Sequence, residues 1–422
     1  MLIIASSYQD YKYYHILNLI NSSGPISRTE IAAITDYRNG TVGEFVKDML
    51  DRGLVEETGR LSTGNGRSRS MLQVSSRVCA IGLSIRPTKY VVVLQPLKGE
   101  PIEQIEQSFP ETETHEALIA QIVTVITELI DRHRDLNITG IGISLPSYNP
   151  ALSLQFTLSA AYQHFNDWIV IDMANALESA THMRVMAFSA VGLPAKAESL
   201  FGVAKGCRNF ICIELSNGIG SSIFCNGETV TGNDNIAGQI GHTIIDNIAN
   251  GNTMCKCGKA GCMEPSSAWP GLLGSILSAV RSGASSLASP LVMEKGEKTL
   301  ASDLRPFIDD GDQLCCHYVK RAATNIGIAI ANAINLLNPE RVVLYGFMLE
   351  LGDVFIRQVT STIRENVLFL SRNFDIVLSE SFETILPQGA AAEVMSDFLR
   401  TSDYQWVYTV DPAELAEKTS QA

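Results

Sequence analysis

Long apolar runs are absent from this chain. None reaches the roughly 18 consecutive apolar residues that a membrane-spanning helix requires. The first ten residues contain no basic side chain ahead of an apolar segment, so they do not resemble a secretory signal. The sequence therefore predicts a protein without membrane insertion, located in the cytoplasm.

An excess of positive charge is also absent. The 422 residues carry a net charge of -13, which by itself argues against a nucleic-acid partner. The distribution is uneven, because residues 1–76 hold eight basic and eight acidic groups and are neutral. The acidic excess lies in the remainder, so a small N-terminal domain is able to contact DNA.

The cysteine pattern does not indicate a disulfide framework. The nine cysteines are an odd number, and six are scattered at positions 79, 207, 212, 225, 315 and 316, as expected for reduced thiols. The other three follow a histidine in the spacing His-x12-Cys-x-Cys-x4-Cys, with glycines at 258 and 261 to turn the chain.

One imidazole and three thiolates at this spacing predict a structural zinc site. Four protein ligands leave no position for water, so the Zn2+ would organise the loop and not activate a nucleophile. The alternative is that small buried cysteines lie beside an unrelated core histidine. The predicted ligands are His242, Cys255, Cys257 and Cys262.

The first 76 residues contain three helical segments followed by a hairpin. Apolar residues at helical spacing run from about residue 11 to 21, and Ser27-Arg28-Thr29-Glu30 matches a capping box. A third helix is expected at about 39–52, and two strand-like segments at 54–57 and 70–74 flank a loop rich in glycine, serine and arginine. This order predicts a winged helix-turn-helix.

The third helix and the wing loop offer side chains for a DNA duplex. In this motif the later helix enters the major groove, and arginines of the loop can reach an adjacent minor groove. Gly40 and Gly43 cost the helix about 1 kcal/mol each relative to alanine, but they remove bulk where a backbone approaches DNA. The alternative is a dimerisation module with solvated arginines. The predicted DNA-binding residues are Arg38, Asn39, Thr41, Glu44, Lys47, Arg67 and Arg69.

From residue 79 the pattern changes to mixed α/β. Each half contains several strands and one long helix, and the second half repeats the plan of the first. The repetition predicts a duplicated α/β fold with two lobes. The segments are strands at 80–85, 90–94, 102–107 and 138–144 with a helix at about 116–134, then strands at 210–215, 222–225 and 341–345 with a helix at about 312–337.

Together, the winged helix, the duplicated body and the run from Gly238 to Glu264 resemble the ROK family of repressors, open reading frames and sugar kinases. The resemblance spans about residues 10–400 and implies an actin-like, hexokinase-like (ribonuclease H-like) body. The winged helix is similar to that of the repressor branch, which the kinases lack. The implied domains are the winged helix-turn-helix at 1–76, the first lobe at 77–200, the second lobe with the zinc loop at 201–400, and a C-terminal tail at 401–422.

The kinases of the family require glycine-rich phosphate loops and a carboxylate base. The stretch matching the first loop, Asp-x-Gly-Gly-Thr-Lys, lies at 84–89 and has Arg86 and Pro87 where phosphate needs glycine. The second loop, Gly-Thr-Gly-x-Gly, is half degraded at 216–220. The family's catalytic aspartate falls on Ala190, which cannot accept a proton. The resemblance therefore implies a member that is not an enzyme.

The same resemblance implies an effector site. In the family, the glutamate of Gly-Glu-x-Gly-His, the zinc-bound histidine and the glutamate after the third cysteine reach sugar hydroxyls. This chain keeps the histidine as His242 and the second glutamate as Glu264, and it has Gln239 in place of the first glutamate. The alternative is that Gln239 and Glu264 only orient the zinc loop. The predicted contacts for a sugar or sugar-phosphate effector are Gln239, His242, Glu264 and Ser189.

These features predict a DNA-binding transcriptional regulator that represses carbohydrate uptake or catabolic genes under control of an effector. Its partners would be a double-stranded DNA operator and further copies of itself, as a homodimer or homotetramer reading a palindrome. Sequestration by a regulatory protein partner is the alternative to direct sugar sensing. A third possible function is that of a sugar kinase. Activation is as compatible with the residues as repression.

Overall fold

The chain divides into two compact units. Unit 1 comprises Met1–Ser144, Trp168–Ala187 and Ala390–Ala422, and unit 2 comprises Leu145–Asp167 and Phe188–Gly389. The domain boundaries drawn at 76, 200 and 400 stay predictions. A computed structural model describes residues 8–61, 69–86, 89–110, 113–145, 167–233, 235–245, 254–371, 373–380 and 382–400. No helix within these ranges is both long and apolar enough to cross a membrane.

Unit 1 begins with the predicted winged helix-turn-helix. Its three strands pair antiparallel in the order β1-β3-β2, and Ile16, Ile31 and Val46 from the three helices are fully buried in a shared core. The expected order of three helices and a hairpin is confirmed. The elements are α1 (Tyr8–Ser23), β1 (Ile26–Ser27), α2 (Arg28–Thr35), α3 (Asn39–Asp51), β2 (Val55–Leu61) and β3 (Arg69–Val74).

Local sequence signals explain how these elements begin and end. The Ser27 hydroxyl accepts a hydrogen bond from the Glu30 N–H at 3.3 Å, and Glu30 Oε2 accepts one from the Ser27 N–H at 2.9 Å, so the predicted capping box is present. Strand β2 extends further than expected: its pairing with β3 shifts register between Glu57 and Gly59 and then continues to Leu61. The wing loop is correspondingly shorter, and residues 62–68 lie outside the described residues.

The body of unit 1 is a five-stranded sheet with the order β6-β5-β4-β7-β8. Strands β4 and β7 are parallel, whereas β5 pairs antiparallel with both β4 and β6. Its long helix, α4, buries a stripe of leucine and isoleucine at helical spacing. The elements are β4 (Val78–Ile85), β5 (Lys89–Pro96), β6 (Glu103–Ser108), α4 (His115–Arg132), β7 (Asn137–Leu145), α5 (Asp167–Thr181) and β8 (Val185–Ser189).

Unit 2 contains a second five-stranded sheet, with the order β11-β10-β9-β12-β13. When the strands of each sheet are numbered along the chain, both sheets have the spatial order third, second, first, fourth, fifth. In both, the second strand is antiparallel to the first and third strands, and the fourth is parallel to the first. The predicted duplication is confirmed. The elements are α6 (Leu193–Leu200), β9 (Phe210–Leu215), β10 (Ile219–Cys225), β11 (Glu228–Val230), α7 (Glu264–Ser267), α8 (Trp269–Arg281), α9 (Ser289–Lys295), α10 (Ala301–Asp309), α11 (Gln313–Leu337), β12 (Arg341–Tyr345), α12 (Asp353–Asn366) and β13 (Asp375–Leu378). The last helix, α13 (Ile385–Arg400), begins in unit 2 and belongs to unit 1 from Ala390 onward.

Side-chain hydrogen bonds tie the winged helix to the rest of unit 1. Asn137 Nδ2, at the start of β7, donates to the carbonyl oxygens of Gly53 at 2.8 Å and Arg52 at 3.3 Å, just after the end of α3. Asn18 Nδ2 on α1 donates to the Leu399 carbonyl at 2.7 Å, and the Leu399 side chain packs into the core of the winged helix. The winged helix is therefore part of the same compact unit as the first sheet.

Candidate functional site

The loop after β11 is fixed against strand β10. Ser221 donates two hydrogen bonds to the Gly238 carbonyl oxygen, from its N–H at 2.9 Å and from its hydroxyl at 2.8 Å. A Cβ on Gly238 would lie 2.0 Å from the Ser221 carbonyl oxygen, and one on Gly241 would lie 2.4 Å from that of Ile219. Glycine is required at both positions, and this close approach places His242 beside the sheet.

The structure brings the four predicted metal ligands together. Their ligand atoms all lie within 4.8 Å of one another. Cys255 Sγ is 3.5 Å from His242 Nδ1, and Cys257 Sγ is 3.6 Å from Cys262 Sγ. Cys255 and Cys262 are buried, His242 is half-buried and Cys257 is exposed, and none of the three cysteines forms a disulfide with a described residue. This group of side chains could hold a metal ion.

The separations can be compared with those around a tetrahedral ion. With Zn–S near 2.3 Å and Zn–N near 2.1 Å, a tetrahedron separates two sulfurs by about 3.8 Å and a sulfur from a nitrogen by about 3.6 Å. The observed 3.6 Å between Cys257 Sγ and Cys262 Sγ and 3.5 Å between Cys255 Sγ and His242 Nδ1 are within a few tenths of an ångström of those values. The donor set and these two separations therefore fit a zinc-sized ion.

A compact turn presents the thiols. Gly258 and Gly261 have φ of 87° and 81°, in the left-handed region that glycine adopts without strain. The Cys255 N–H donates to the Lys259 carbonyl at 2.8 Å, and Met254 and Ile244 form isolated bridges with Ala260 and Cys262. These contacts close the loop around the four ligands; residues 246–253 lie outside the described residues.

The thiols differ in their readiness to ionise. Burial raises the pKa of the Cys255 thiol, and it raises the pKa of Cys262 to about 12. A hydrogen bond from the Lys259 backbone lowers the pKa of the exposed Cys257. Two of the three sulfurs therefore favour the neutral form unless a cation lies beside them, which is the environment a divalent metal supplies.

Three of the predicted effector contacts lie in one region of unit 2. Glu264 begins α7, and its Oε2 accepts a hydrogen bond from the Ile219 N–H at 3.0 Å. The same oxygen would lie 3.1 Å from a Cβ on Gly241, the residue before His242. Gln239 is exposed and directly precedes the short 3-10 turn formed by Ile240–His242. Ser189 ends β8, where its hydroxyl lies 3.5 Å from the Asn235 carbonyl oxygen.

The positions compared with kinase residues are only partly described. Ser84 is buried near the end of β4 and pairs with Ser144 of β7. The Arg86 N–H donates to the Lys89 carbonyl at 2.8 Å, closing the turn between β4 and β5, while Pro87 lies outside the described residues. Ala190 directly follows β8. The loss of kinase residues stays a prediction.

The predicted DNA-binding residues of α3 point away from the core. Val42, Val46 and Met49 are buried, whereas Arg38, Asn39, Glu44 and Lys47 are exposed and Thr41 is half-buried. Among the described residues, a Cβ on Gly40 or Gly43 would meet no heavy atom within 4 Å. Packing within the described part of the chain therefore does not require these glycines. Arg69 is exposed at the start of β3, and Arg67 lies outside the described residues.

Two residues that organise these sites were not predicted from the sequence. Ser221 holds the glycine turn before His242, and Asn137 binds the backbone just after α3. Ser221 lies inside a strand and Asn137 begins one, and their partners are 17 and 84 residues away in the chain. A polar residue within or at the edge of an apolar strand is the only local signal for either role.

Comparison with known proteins defines the class. The model of the ROK family matches residues 80–394, so the chain belongs to the ROK family. Among curated relatives, the DNA-binding transcriptional dual regulator NagC of Escherichia coli (strain K12) is 26% identical over 369 residues, covering 86% of this chain and 87% of that protein. The xylose repressor of Caldicellulosiruptor bescii is 24% identical over 394 residues, covering 92% and 96%.

Solved structures share the fold. A ROK family transcriptional regulator described as a homolog of the E. coli MLC protein has a TM-score of 0.77 at 21% identity, covering 94% of this chain and 99% of that one. The ROK hexokinase from Thermus thermophilus has a TM-score of 0.61 at 20% identity, covering 76% of this chain and 99% of its own. The family and the fold class predicted from the sequence are confirmed.

Proposed function

We propose that this protein is a DNA-binding transcriptional regulator that represses genes of carbohydrate uptake or catabolism. The observation that carries the proposal is a winged helix with an exposed polar edge joined to a ROK body. Relatives named as regulators or repressors align over 86% and 92% of this chain, whereas the hexokinase covers 76%. The name of the xylose repressor supports a carbohydrate pathway.

In this proposal, helix α3 enters the major groove. Arg38 and Asn39 stand at its N-terminal end, where free backbone N–H groups also favour a phosphate. Lys47 lies further along the exposed side of the helix. Gly40 and Gly43 allow the duplex backbone close to the helix, which explains glycines that no internal contact requires. Thr41 and Glu44 would meet base edges, and Arg67 and Arg69 of the wing would reach the minor groove.

The metal in this proposal is Zn2+, held by His242, Cys255, Cys257 and Cys262. The donor set and the separations near 3.6 Å support it. With four protein ligands its role is structural: it fixes a loop that has few apolar residues to bury. Since Gly241, the residue before His242, lies against the Glu264 side chain, the loop also fixes the region in which the effector contacts lie.

The effector in this proposal is a sugar or sugar phosphate that contacts Gln239, His242, Glu264 and Ser189. Glu264 already accepts the Ile219 N–H, which orients its carboxylate and leaves its second oxygen to accept a sugar hydroxyl. Such a ligand changes DNA binding only if it prefers one of two arrangements of the protein. Titration calorimetry with sugars and sugar phosphates tests this step; no heat from any of them would instead favour sequestration by a protein partner.

A second function, sugar phosphorylation, is disfavoured by Ala190 at the position of the family's base and by Ser84, Arg86 and Pro87 in the first phosphate loop. Loss of general-base catalysis typically costs 10²- to 10⁴-fold in rate. Two experiments test the proposal. Selection from a random duplex library should enrich a common inverted repeat, and an assay of ATP turnover across sugars should give the background rate. Sugar-dependent turnover without duplex enrichment would overturn it.

A further inference from the structure

Cys257 is the most accessible sulfur of the chain. All nine cysteines lie within the described residues, and Cys257 alone is exposed, since the other eight are buried or half-buried. Its two partners in the ligand cluster, Cys255 and Cys262, are both buried. The cluster is therefore open to solvent on the side of Cys257, and small solutes can reach the Sγ atom of this residue directly.

A second sulfur lies within reach of the exposed one. Cys262 Sγ is 3.6 Å from Cys257 Sγ. A disulfide bond is about 2.05 Å long, so the two sulfurs need to approach by about 1.5 Å to form one. The turn that joins the two residues contains Gly258 and Gly261, which adopt left-handed φ values of 87° and 81°. Glycine moves between backbone regions at little cost, so this turn is able to make the adjustment.

The surroundings of Cys257 favour its ionised form. Residues 254–263 contain two exposed lysines, Lys256 and Lys259, and no acidic residue. The Lys259 N–H donates a hydrogen bond to the Cys257 sulfur. A thiol that coordinates a divalent cation is also deprotonated by it. These contacts matter because the thiolate, and not the thiol, reacts with oxidants.

We propose that Cys257 and Cys262 form a peroxide-sensitive pair, in which Cys257 is oxidised first and Cys262 closes a disulfide with it. Cysteines that respond to oxidants are accessible thiolates with a second, resolving cysteine beside them. Cys257 has both properties, whereas Cys255 is buried and its sulfur lies 3.5 Å from His242 Nδ1. The effect on metal binding described below rests on the Zn2+ site of the proposed function.

The reaction takes place on sulfur, because Zn2+ has no redox chemistry of its own. The Cys257 thiolate attacks one oxygen of hydrogen peroxide, the O–O bond breaks and hydroxide leaves, which produces a sulfenic acid. The Cys262 thiolate then attacks the sulfenic sulfur, forms the S–S bond and expels a second hydroxide. The two sulfurs together lose two electrons, and the peroxide, after taking up two protons, becomes two molecules of water.

Oxidation removes two of the four ligands from the cluster. His242 and Cys255 alone do not complete a tetrahedral sphere, so the oxidised chain no longer holds the ion. Cys262 lies two positions before Glu264, one of the predicted effector contacts. The disulfide therefore changes the segment that presents this contact, and it makes the state of the regulator depend on peroxide as well as on its effector.

The first test uses the reduced, zinc-loaded full chain. Hydrogen peroxide should release about one zinc ion per chain, detected with a colorimetric chelator, while peptide mass spectrometry finds a disulfide between Cys257 and Cys262. Dithiothreitol with added zinc should reverse both changes. The proposal is overturned if zinc and all thiols survive a dose of peroxide that fully oxidises glutathione. It is equally overturned if the disulfide forms between other cysteines.

A second test assigns the order of the two steps with cysteine variants. In Cys262→Ser the sulfenic acid has lost its resolving partner, so dimedone, which reacts with sulfenic acids, should label Cys257. In Cys257→Ser the same dose of peroxide should leave the two buried cysteines of the cluster unlabelled. The matched control is Cys225→Ser, which removes a half-buried cysteine of unit 2 and should behave as the wild type. Dimedone on another residue of Cys262→Ser would contradict the assigned order.

This inference and the proposed function fail separately. A protein that binds zinc and enriches a duplex, but keeps its zinc in peroxide, refutes only the peroxide-sensitive pair. A protein that contains no zinc but still forms the disulfide between Cys257 and Cys262 refutes only the proposed metal. A protein that loses zinc to peroxide but enriches no duplex refutes only the DNA-binding function.

Discussion

The two five-stranded sheets share one strand order but carry different additions. In unit 1, the hairpin that ends with β6 is followed at once by helix α4, with only residues 109–114 between them. In unit 2, the corresponding hairpin ends with β11, and residues 231–268 intervene before α8. That insertion contains the glycine turn, the four clustered side chains predicted to bind metal, and Glu264. Unit 1 instead carries a winged helix ahead of β4, the first strand of its five-stranded sheet.

The difference shows where function resides in a duplicated fold. The sheets supply rigid edges, and the chemistry belongs to segments attached to them. The insertion of unit 2 is anchored by Ser221 on β10, and the winged helix of unit 1 by Asn137 on β7. In each case a polar residue of a sheet strand binds the backbone of the added segment.

The largest expected effect concerns the insertion of unit 2. Cys262→Ser removes one of four ligands from the cluster, so we expect bound zinc to fall from about one ion per chain to near zero. Elemental analysis of the purified protein measures this, with thermal unfolding as a second readout. The control is Cys207→Ser, a half-buried cysteine of the same unit outside the cluster. Full zinc content in Cys262→Ser would show that these residues are not the ligands.

The next effect concerns the winged helix of unit 1. Replacing Arg38 and Lys47 together by alanine removes two exposed charges, so affinity for the selected duplex should fall at least about tenfold. The slope of log affinity against log salt concentration should also become shallower, corresponding to about two fewer counter-ions released on binding. Fluorescence anisotropy at several salt concentrations gives both quantities. Arg134→Ala removes a charge from the same unit that pairs with Asp131, and it should have no such effect. Equal losses in both proteins would mean that only overall charge matters.

A smaller effect is expected at the junction within unit 1. Asn137→Ala leaves the carbonyls of Arg52 and Gly53 without their donor, and we expect a loss of about 1–3 kcal/mol in the free energy of unfolding. Urea denaturation measures it, with the exposed Asn332 of α11 replaced by alanine as the control. A separate, earlier transition for the winged helix in the wild type would contradict the view that unit 1 is one compact body.

The smallest effect is expected at Gly40, where a substitution should change protein stability and DNA affinity in opposite directions. Gly40→Ala adds a Cβ that meets no described atom, so α3 should become more stable by about 0.5–1 kcal/mol while affinity for the duplex decreases. Gly274→Ala on α8 is matched, since its Cβ also meets no described atom within 4 Å, and it should stabilise without changing DNA binding. Unchanged affinity in Gly40→Ala would remove the argument that this glycine admits the duplex.

Local patterns in the sequence predicted the features that depend on neighbours in the chain. The capping box at Ser27, the long helix α11 and the buried strands were accessible because propensity and periodicity agree there. The ligand cluster was accessible because its four residues fall within about twenty positions. Strand β1 was missed, since two residues become a strand only by pairing with β3.

Contacts between distant residues could not be predicted in the same way. The hydrogen bond from Asn18 to Leu399 spans 381 positions, and no pattern in the local sequence of either residue indicates it. The hydrogen bond from the Leu368 N–H to Asn335 Oδ1 joins the ends of α11 and α12 across 33 positions, and only the folded chain brings these ends together. The role of Glu264 at the Ile219 N–H has the same origin. Such details depend on tertiary packing, which one sequence does not encode locally.

The central claim is that the exposed edge of α3 reads specific DNA. Its most direct measurement is sequencing of genomic fragments bound in cells by the wild-type chain and by the variant in which Arg38 and Lys47 are alanine. The wild type should enrich fragments that share one inverted repeat near carbohydrate genes, and the variant should lose that enrichment. Wild-type fragments without a common sequence, or the same enrichment in the variant, would contradict the claim.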